Sequence, residues 1–173
     1  MSNIKSMIRR FVVNIINRFT KKGYTEEELE EFRKLIEIMI HNEAPIILRE
    51  LGIHEDEWNY KHRIRLYWEG PRKNRTGFTG ILDDGEFSFG TVNVHLYVRN
   101  ILRTNKYNNF PKSFIHTLAH ELKHVQQIKN GYDVTGYIRP EDDIEGYKTQ
   151  DIEIEAEEFA RNYVLRRFRK LAG

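Results

Sequence analysis

His120-Glu121-Leu122-Lys123-His124 is the stretch on which the reading of this chain turns. Two histidines four apart on a helix project from one face, a single turn from each other. Imidazoles so placed can bind one Zn²⁺, with the glutamate between them set beside the water on the metal. The flanks predict that helix. Pro111 suits a first turn, and Phe114, Ile115, Leu118, Ala119, Leu122 and Val125 recur at helical spacing. His120, His124 and Thr117 share another stripe. Asn130-Gly131 is a turn signal that ends the run.

A catalytic zinc site usually takes three protein ligands and keeps a fourth position for water. The chain has no cysteine, and His124 is its last histidine. A third ligand is therefore expected from the carboxylates of Asp151-Ile152-Glu153-Ile154-Glu155-Ala156-Glu157-Glu158-Phe159-Ala160. This segment predicts a second helix, with Asp151 as a reasonable N-cap. Ile152, Ala156, Phe159, Ala160, Tyr163, Val164 and Leu171 form its buried stripe. On an ideal wheel Glu158 points away from that stripe. Glu155 and Glu157 border it, and Glu153 lies nearer but at the frayed end. Periodicity leaves Glu155, Glu157 and Glu153 open. A solvated row of acids at a positive helix N-terminus is the plain alternative for most of them.

His-Glu-x-x-His followed by a helix carrying Glu-Ala-x-x-Phe-Ala resembles the gluzincin metallopeptidases, particularly the small single-domain ones. The resemblance covers roughly residues 60 to 165 and is specific in the two helices. It implies that the glutamate before the alanine, Glu155, is the third ligand with His120 and His124. It also implies a zinc-dependent metalloendopeptidase in which Glu121 acts as general base on a metal-activated water, with a Tyr or His such as Tyr147 or Tyr132 steadying the oxyanion. Many thermolysin-like members place an Asp four residues after the ligand glutamate, to orient a zinc histidine. Counted from Glu155 that position is Phe159, which leaves Asp142, Asp143 and Asp151 as candidates. The Phe-Ala ending is similar to peptidases that cleave phage-type repressors, but Tyr163-Val164-Leu165-Arg166-Arg167 departs from their continuation.

The implied fold is α+β and zincin-like. It has N-terminal helices, a small, mostly antiparallel sheet of three to four strands, the His-Glu-x-x-His helix and a C-terminal helix carrying the glutamate ligand. The residues agree with that order. Thr25 with Glu28 is a capping box, and Leu29, Phe32, Leu35, Ile36, Met39 and Ile40 follow as a stripe. Pro45 is expected to break or kink this helix before Gly52. His62, Ile64, Leu66 and Trp68 alternate as a strand, Phe78 to Leu82 is a second, and Asp83-Asp84-Gly85 is a hairpin signal. Phe87 to Val98 reads as a third strand. Its stretch Phe87 to Val94 is the candidate edge for an extended substrate backbone, by analogy with the family. His62 and His95 lack ligand spacing, and His116, one helix turn before His120, reads as a packed or surface histidine. The connection from Gly131 to Gln150, with Tyr132, Tyr137 and Tyr147, must cross between the two zinc helices and so borders the cleft.

The remaining chemistry is bounded by composition. At 173 residues the length suits one domain over 23–173. Net charge is +2, so no anionic partner is demanded. No apolar run reaches the length of a membrane span, and the lack of cysteine suits an intracellular, cytoplasmic setting. Residues 1–22 carry Lys5, Arg9, Arg10, Arg18, Lys21 and Lys22 but no acid, on a clean apolar stripe. This basic amphipathic helix is expected to pack on the domain or a partner, with a membrane surface, an inhibitory pro-segment and a transit peptide as weaker readings. Protein or peptide is the expected substrate. A DNA-associated protease of SprT-like type is the alternative enzyme, with Arg63, Arg65, Arg72, Lys73 and Arg75 as its basic cluster, and a catalytically silent zinc-bound interaction module is the non-enzyme alternative.

Overall fold

The computed structural model describes residues 25–68, 85–88, 92–104, 106–140 and 142–172. The basic helix expected over 1–22, the strand Phe78 to Leu82 and the basic turn before it lie outside these residues. The chain divides into two compact units, with the boundary between Glu43 and Ala44.

Helix α1, Glu26–Glu50, opens where Thr25 was expected to cap it: the Thr25 carbonyl accepts the Leu29 N–H. Within the first unit Phe32, Leu35, Ile36, Met39 and Ile40 are buried on one stripe. The helix runs through Pro45 without ending. An interior proline costs about 3 kcal/mol, and Ala44, Ile47 and Leu48, all fully buried around it, offset that by holding the last turns in the core of the second unit. Gly52 then ends the helix at φ +71°, with Ile53 N–H on the Leu48 carbonyl and Gly52 N–H on the Arg49 carbonyl.

The rest of the second unit is α+β and mostly helical. A short helix α2, Tyr60–Arg63, leads into strand β1, Ile64–Tyr67. Strand β2 is Gly85–Ser88 and β3 is Asn93–Tyr97. Their order is β1-β3-β2, with β1 parallel and β2 antiparallel to β3. The mostly antiparallel sheet of the sequence reading is therefore corrected: one of the two pairings is parallel. The connection from β1 to β3 is long enough to bring the chain back in the same direction. The single strand expected from Phe87 to Val98 is corrected too. The chain reverses between Ser88 and Asn93, where Val92 stands at φ +53°, a conformation no strand can continue through. Gly85, expected in a hairpin turn, lies inside β2. At the far end Val98 begins helix α3, Val98–Thr104.

Helix α4, Phe110–Lys129, is the helix of the His-Glu-x-x-His stretch. Asn109 caps it by accepting the Lys112 N–H on its side-chain oxygen, with Pro111 in the first turn. Phe114, Ile115, Leu118, Ala119, Leu122 and Val125 are all buried, as their spacing requires. The end is a Schellman turn, with Gly131 at φ +78° and Tyr132 N–H on the Gln127 carbonyl. Helix α5, Ile144–Thr149, is capped by Asp143, and α6 is Asp151–Ala172. α4 and α6 pack antiparallel along their lengths, and β2 and β3 lie against α4. Ala156 and Ala160, with no exposed surface, let α6 approach closely.

Candidate metal centre

α4 presents His116, His120 and His124 one turn apart, and α6 presents Glu157 and Glu153 in the opposite direction. His120 Nε2 lies 3.2 Å from Glu153 Oε2 and 3.2 Å from His124 Nε2, and His124 Nε2 lies 3.5 Å from Glu153 Oε1. Ligand atoms of these three residues all fall within 4.8 Å of one another. Zinc–ligand bonds of about 2.0–2.2 Å in tetrahedral array separate ligand atoms by about 3.3–3.5 Å. A metal ion could bridge these separations, and the carboxylate in the group is Glu153, where Glu155 was expected.

Glu155 points elsewhere. Its side chain is 52% exposed and meets Lys123 Nζ at 3.7 Å. Its Oε2 accepts from Gln127 Nε2 at 3.1 Å. Glu153, in contrast, is 4% exposed. The frayed first turn supposed for α6 does not fray. Gln150, at its threshold, is clipped to the backbone of Ile138 by two side-chain hydrogen bonds, one donated and one accepted. Gln127 Nε2 holds the Ile152 carbonyl at 3.0 Å. The first turn is docked, so the residue nearest the apolar stripe is the one that faces the histidines.

Gln127 also settles the state of His124. Its amide nitrogen is committed to two acceptors, the Ile152 carbonyl and Glu155 Oε2, so its oxygen faces His124 Nδ1 at 2.8 Å and accepts that N–H. His124 Nε2 therefore turns a lone pair toward the cluster. This is the orienting partner a zinc histidine needs, and the sequence reading, looking for an aspartate, missed it. Asp142, Asp143 and Asp151 are all exposed and do not supply it. Counted from Glu153, the position four residues on is Glu157, whose Oε2 stands 4.0 Å from His120 Nδ1. Glu157 Oε1 takes Lys106 Nζ at 2.6 Å and lies 3.4 Å from the buried His116 Nε2.

Burial and neighbouring charge pull the groups of the cluster in different directions. Burial alone would raise the Glu153 carboxyl, but the His120 hydrogen bond, the charges of His124 and His120 and the Tyr137 hydroxyl outweigh it and hold it down to about 2. Burial opposes Glu157 likewise, yet His116 and Lys106 hold it down to about 2. His124 is lowered to about 4, first by burial and then by His120. His120 is raised: burial works against this, and Glu153, Glu121 and Glu157 prevail. Where the ligand atoms converge, a charged Glu153 and a neutral His124 meet His120, and Glu157 lies on the other, Nδ1 side of His120 at 4.0 Å. Glu153 Oε2 is buried, and its neighbour is His120 Nε2 at 3.2 Å; with His120 neutral that oxygen would be left without a donor, at a cost on the order of 1–3 kcal/mol or more unless a cation compensates it. The donor set of two imidazoles and a carboxylate suits zinc.

Glu121 is 6% exposed and sits under β2. A Cβ on Gly85 would lie 2.7 Å from Glu121 Oε1, 2.9 Å from its Cγ and 3.0 Å from its Cδ. Only glycine lets the strand come this close to the carboxylate. Of the two tyrosines considered for the oxyanion, Tyr147 lies within reach of the charges of Glu153 and Glu121, whereas Tyr132 feels Asp151 and Glu155 instead. Tyr137, not singled out from sequence, donates its hydroxyl to Glu153 Oε1 at 2.7 Å. His62 and His95 do not join the cluster, and His116 is buried next to it without belonging to it. In comparisons with family models, curated proteins and solved structures, nothing matches the chain.

Proposed function

We propose that this chain is a zinc-dependent metallopeptidase of zincin-like, gluzincin type, with His120, His124 and Glu153 as metal ligands and Glu121 as general base. The observation that carries the reading is the convergence of His120 Nε2, His124 Nε2 and the buried carboxylate of Glu153. A glutamate beside two such histidines, not itself among the converging ligands, is the arrangement metal hydrolases use. The ion, when bound, would polarise a scissile carbonyl and bring the pKa of its water towards about 7.

The chain's own residues do the rest. Gln127 fixes the His124 imidazole so that it offers Nε2 inward, and the Glu157 charge stands 4.0 Å from His120 Nδ1, on the outer side of that ring. The Glu121 carboxylate, pinned beneath Gly85, accepts a proton from the attacking water and returns it to the leaving amine. Tyr147 stays protonated, because burial and the Glu153 charge both raise it, and so remains a donor near that carboxylate. Among the described residues β2 is an edge strand, paired only with β3. Its outer edge, beside Glu121, is where an extended peptide would add by main-chain hydrogen bonds. This moves the substrate edge from the stretch Phe87 to Val94 to Gly85–Ser88.

The test is metal content by mass spectrometry on full-length protein purified without a histidine tag or added metal, followed by digestion of a mixed unfolded-protein panel. One zinc per chain, cleavage of the panel and loss of cleavage but not of zinc in Glu121→Gln would bear the proposal out. Zinc with no cleavage would reduce the protein to a metal-bound interaction module, and no zinc after loading would discard the site.

A further inference from the structure

The connection between α4 and α6 is more tightly built than its length suggests. It leaves α4 through the Gly131 turn. Asp133 Oδ1 accepts the Thr135 N–H, and Tyr137 N–H closes onto the Val134 carbonyl around Gly136 at φ +80°. Ile138 is then gripped by the Gln150 amide on both its N–H and its carbonyl, at 2.8 and 2.9 Å. This clip ties the loop to the residue just before α6, three positions before Glu153. The consequence is local and specific: the Tyr137 phenol reaches Glu153 Oε1 at 2.7 Å.

The two oxygens of Glu153 are thereby made unequal. Oε1 accepts the Tyr137 hydroxyl, whereas Oε2 faces His120 Nε2 at 3.2 Å. Tyr137 packs edge-on against Tyr147, at 6.3 Å between ring centroids, so its ring has little freedom to leave. Resting on the metal-site reading above, we infer that Tyr137 is a positioning residue that commits Glu153 to bind the ion through Oε2 alone, and that the Gln150–Ile138 clip is what delivers it. A carboxylate free at both oxygens can swing to two-point binding and fill the position that water needs. The phenol occupies one lone pair of the first oxygen and draws charge from it, which leaves Oε2 the better donor to the ion. It also spreads the carboxylate charge, as a hydrogen-bonded outer partner of a ligand does.

The probes are zinc and cobalt alone, on the full chain. Zinc affinity is measured by chelator competition, and the visible absorption of the cobalt-loaded protein reports coordination number: four-coordinate sites absorb strongly and five-coordinate ones weakly. Tyr137→Phe removes only the hydroxyl. It is expected to bind zinc about 10–100-fold more weakly and to shift the cobalt spectrum towards the weaker, five-coordinate form. Gln150→Ala, which leaves Glu153 and the phenol intact but opens the clip, is expected to move both readouts the same way by less, and serves if Tyr137→Phe does not fold. Wild-type protein that binds one zinc while the variants keep its affinity within threefold and its cobalt spectrum unchanged overturns this inference and leaves the metal site standing. Wild-type protein that binds neither ion overturns both.

Discussion

Glu153 and Glu155 sit two positions apart on one helix, yet only the first faces the histidines. Glu153→Ala is therefore expected to abolish tight zinc binding. Glu155→Ala, which removes an exposed partner of Gln127 and Lys123, should change affinity by less than about tenfold. Chelator competition on the pair separates them, and equal losses would undo the assignment. Gly85 makes a second prediction at this scale. A methyl group there meets Glu121 at 2.7 Å, so Gly85→Ala should displace the carboxylate. Turnover is expected to fall at least tenfold with zinc content unchanged; a fully active, zinc-replete Gly85→Ala would show that Glu121 can move without consequence.

Two helices carry the site, and their separation is set by small residues. Ala156 lies fully buried on α6 between Glu153 and Glu157. Ala156→Leu would overpack that seam, costing about 1–3 kcal/mol, and should weaken zinc binding because both carboxylates move away from His120 together. Denaturant unfolding and zinc titration on one sample check the two halves of that statement. The Schellman end of α4 is a cleaner stability test. Gly131 stands at φ +78° with open space where a Cβ would go. Gly131→Ala should thus cost only the left-handed strain of about 1–2 kcal/mol, with little effect on metal affinity.

The molecule as a whole should answer to metal and to acid. An ion that joins α4 to α6 binds only the folded chain, so zinc at about 100 times its Kd adds about 2.7 kcal/mol; chelation should lower Tm and zinc should restore it. In the metal-free protein His124 is lowered to about 4 and Glu153 to about 2. The unfolded chain binds the proton first in both cases. Stability is then lost through His124 as pH falls from its ordinary value of about 6.5 towards about 4. Glu153 adds to the loss as pH falls from the ordinary carboxylate range towards about 2. His120, being raised, works the other way: its contribution is full below its ordinary value and fades as pH rises through the folded one. Thermal unfolding of the chelated protein between pH 7 and pH 3 should show the net loss on acidification, and a flat profile would contradict the buried placement of these groups.

The sequence by itself determined the two long helices, their buried stripes, the two histidines and the turns at Gly52 and Gly131. Each of these is written in local spacing: a 3.6-residue period, a proline or asparagine at a helix start, a glycine where φ must be positive. It also left three glutamates of one helix open as the carboxylate to join the histidines. The tertiary structure brings Glu153 to them. A wheel gives the direction of a side chain about its own axis, but not which direction meets a neighbour, and Glu153 faces His120 because Gln150 and Gln127 dock the first turn of α6. The same holds for Gln127 as partner of His124 and for Tyr137 on Glu153, a glutamine and a tyrosine with no motif of their own. A break at Pro45 and a mostly antiparallel sheet were misjudged for one physical reason: local preference gave way to burial and to strand pairing between residues far apart in the chain.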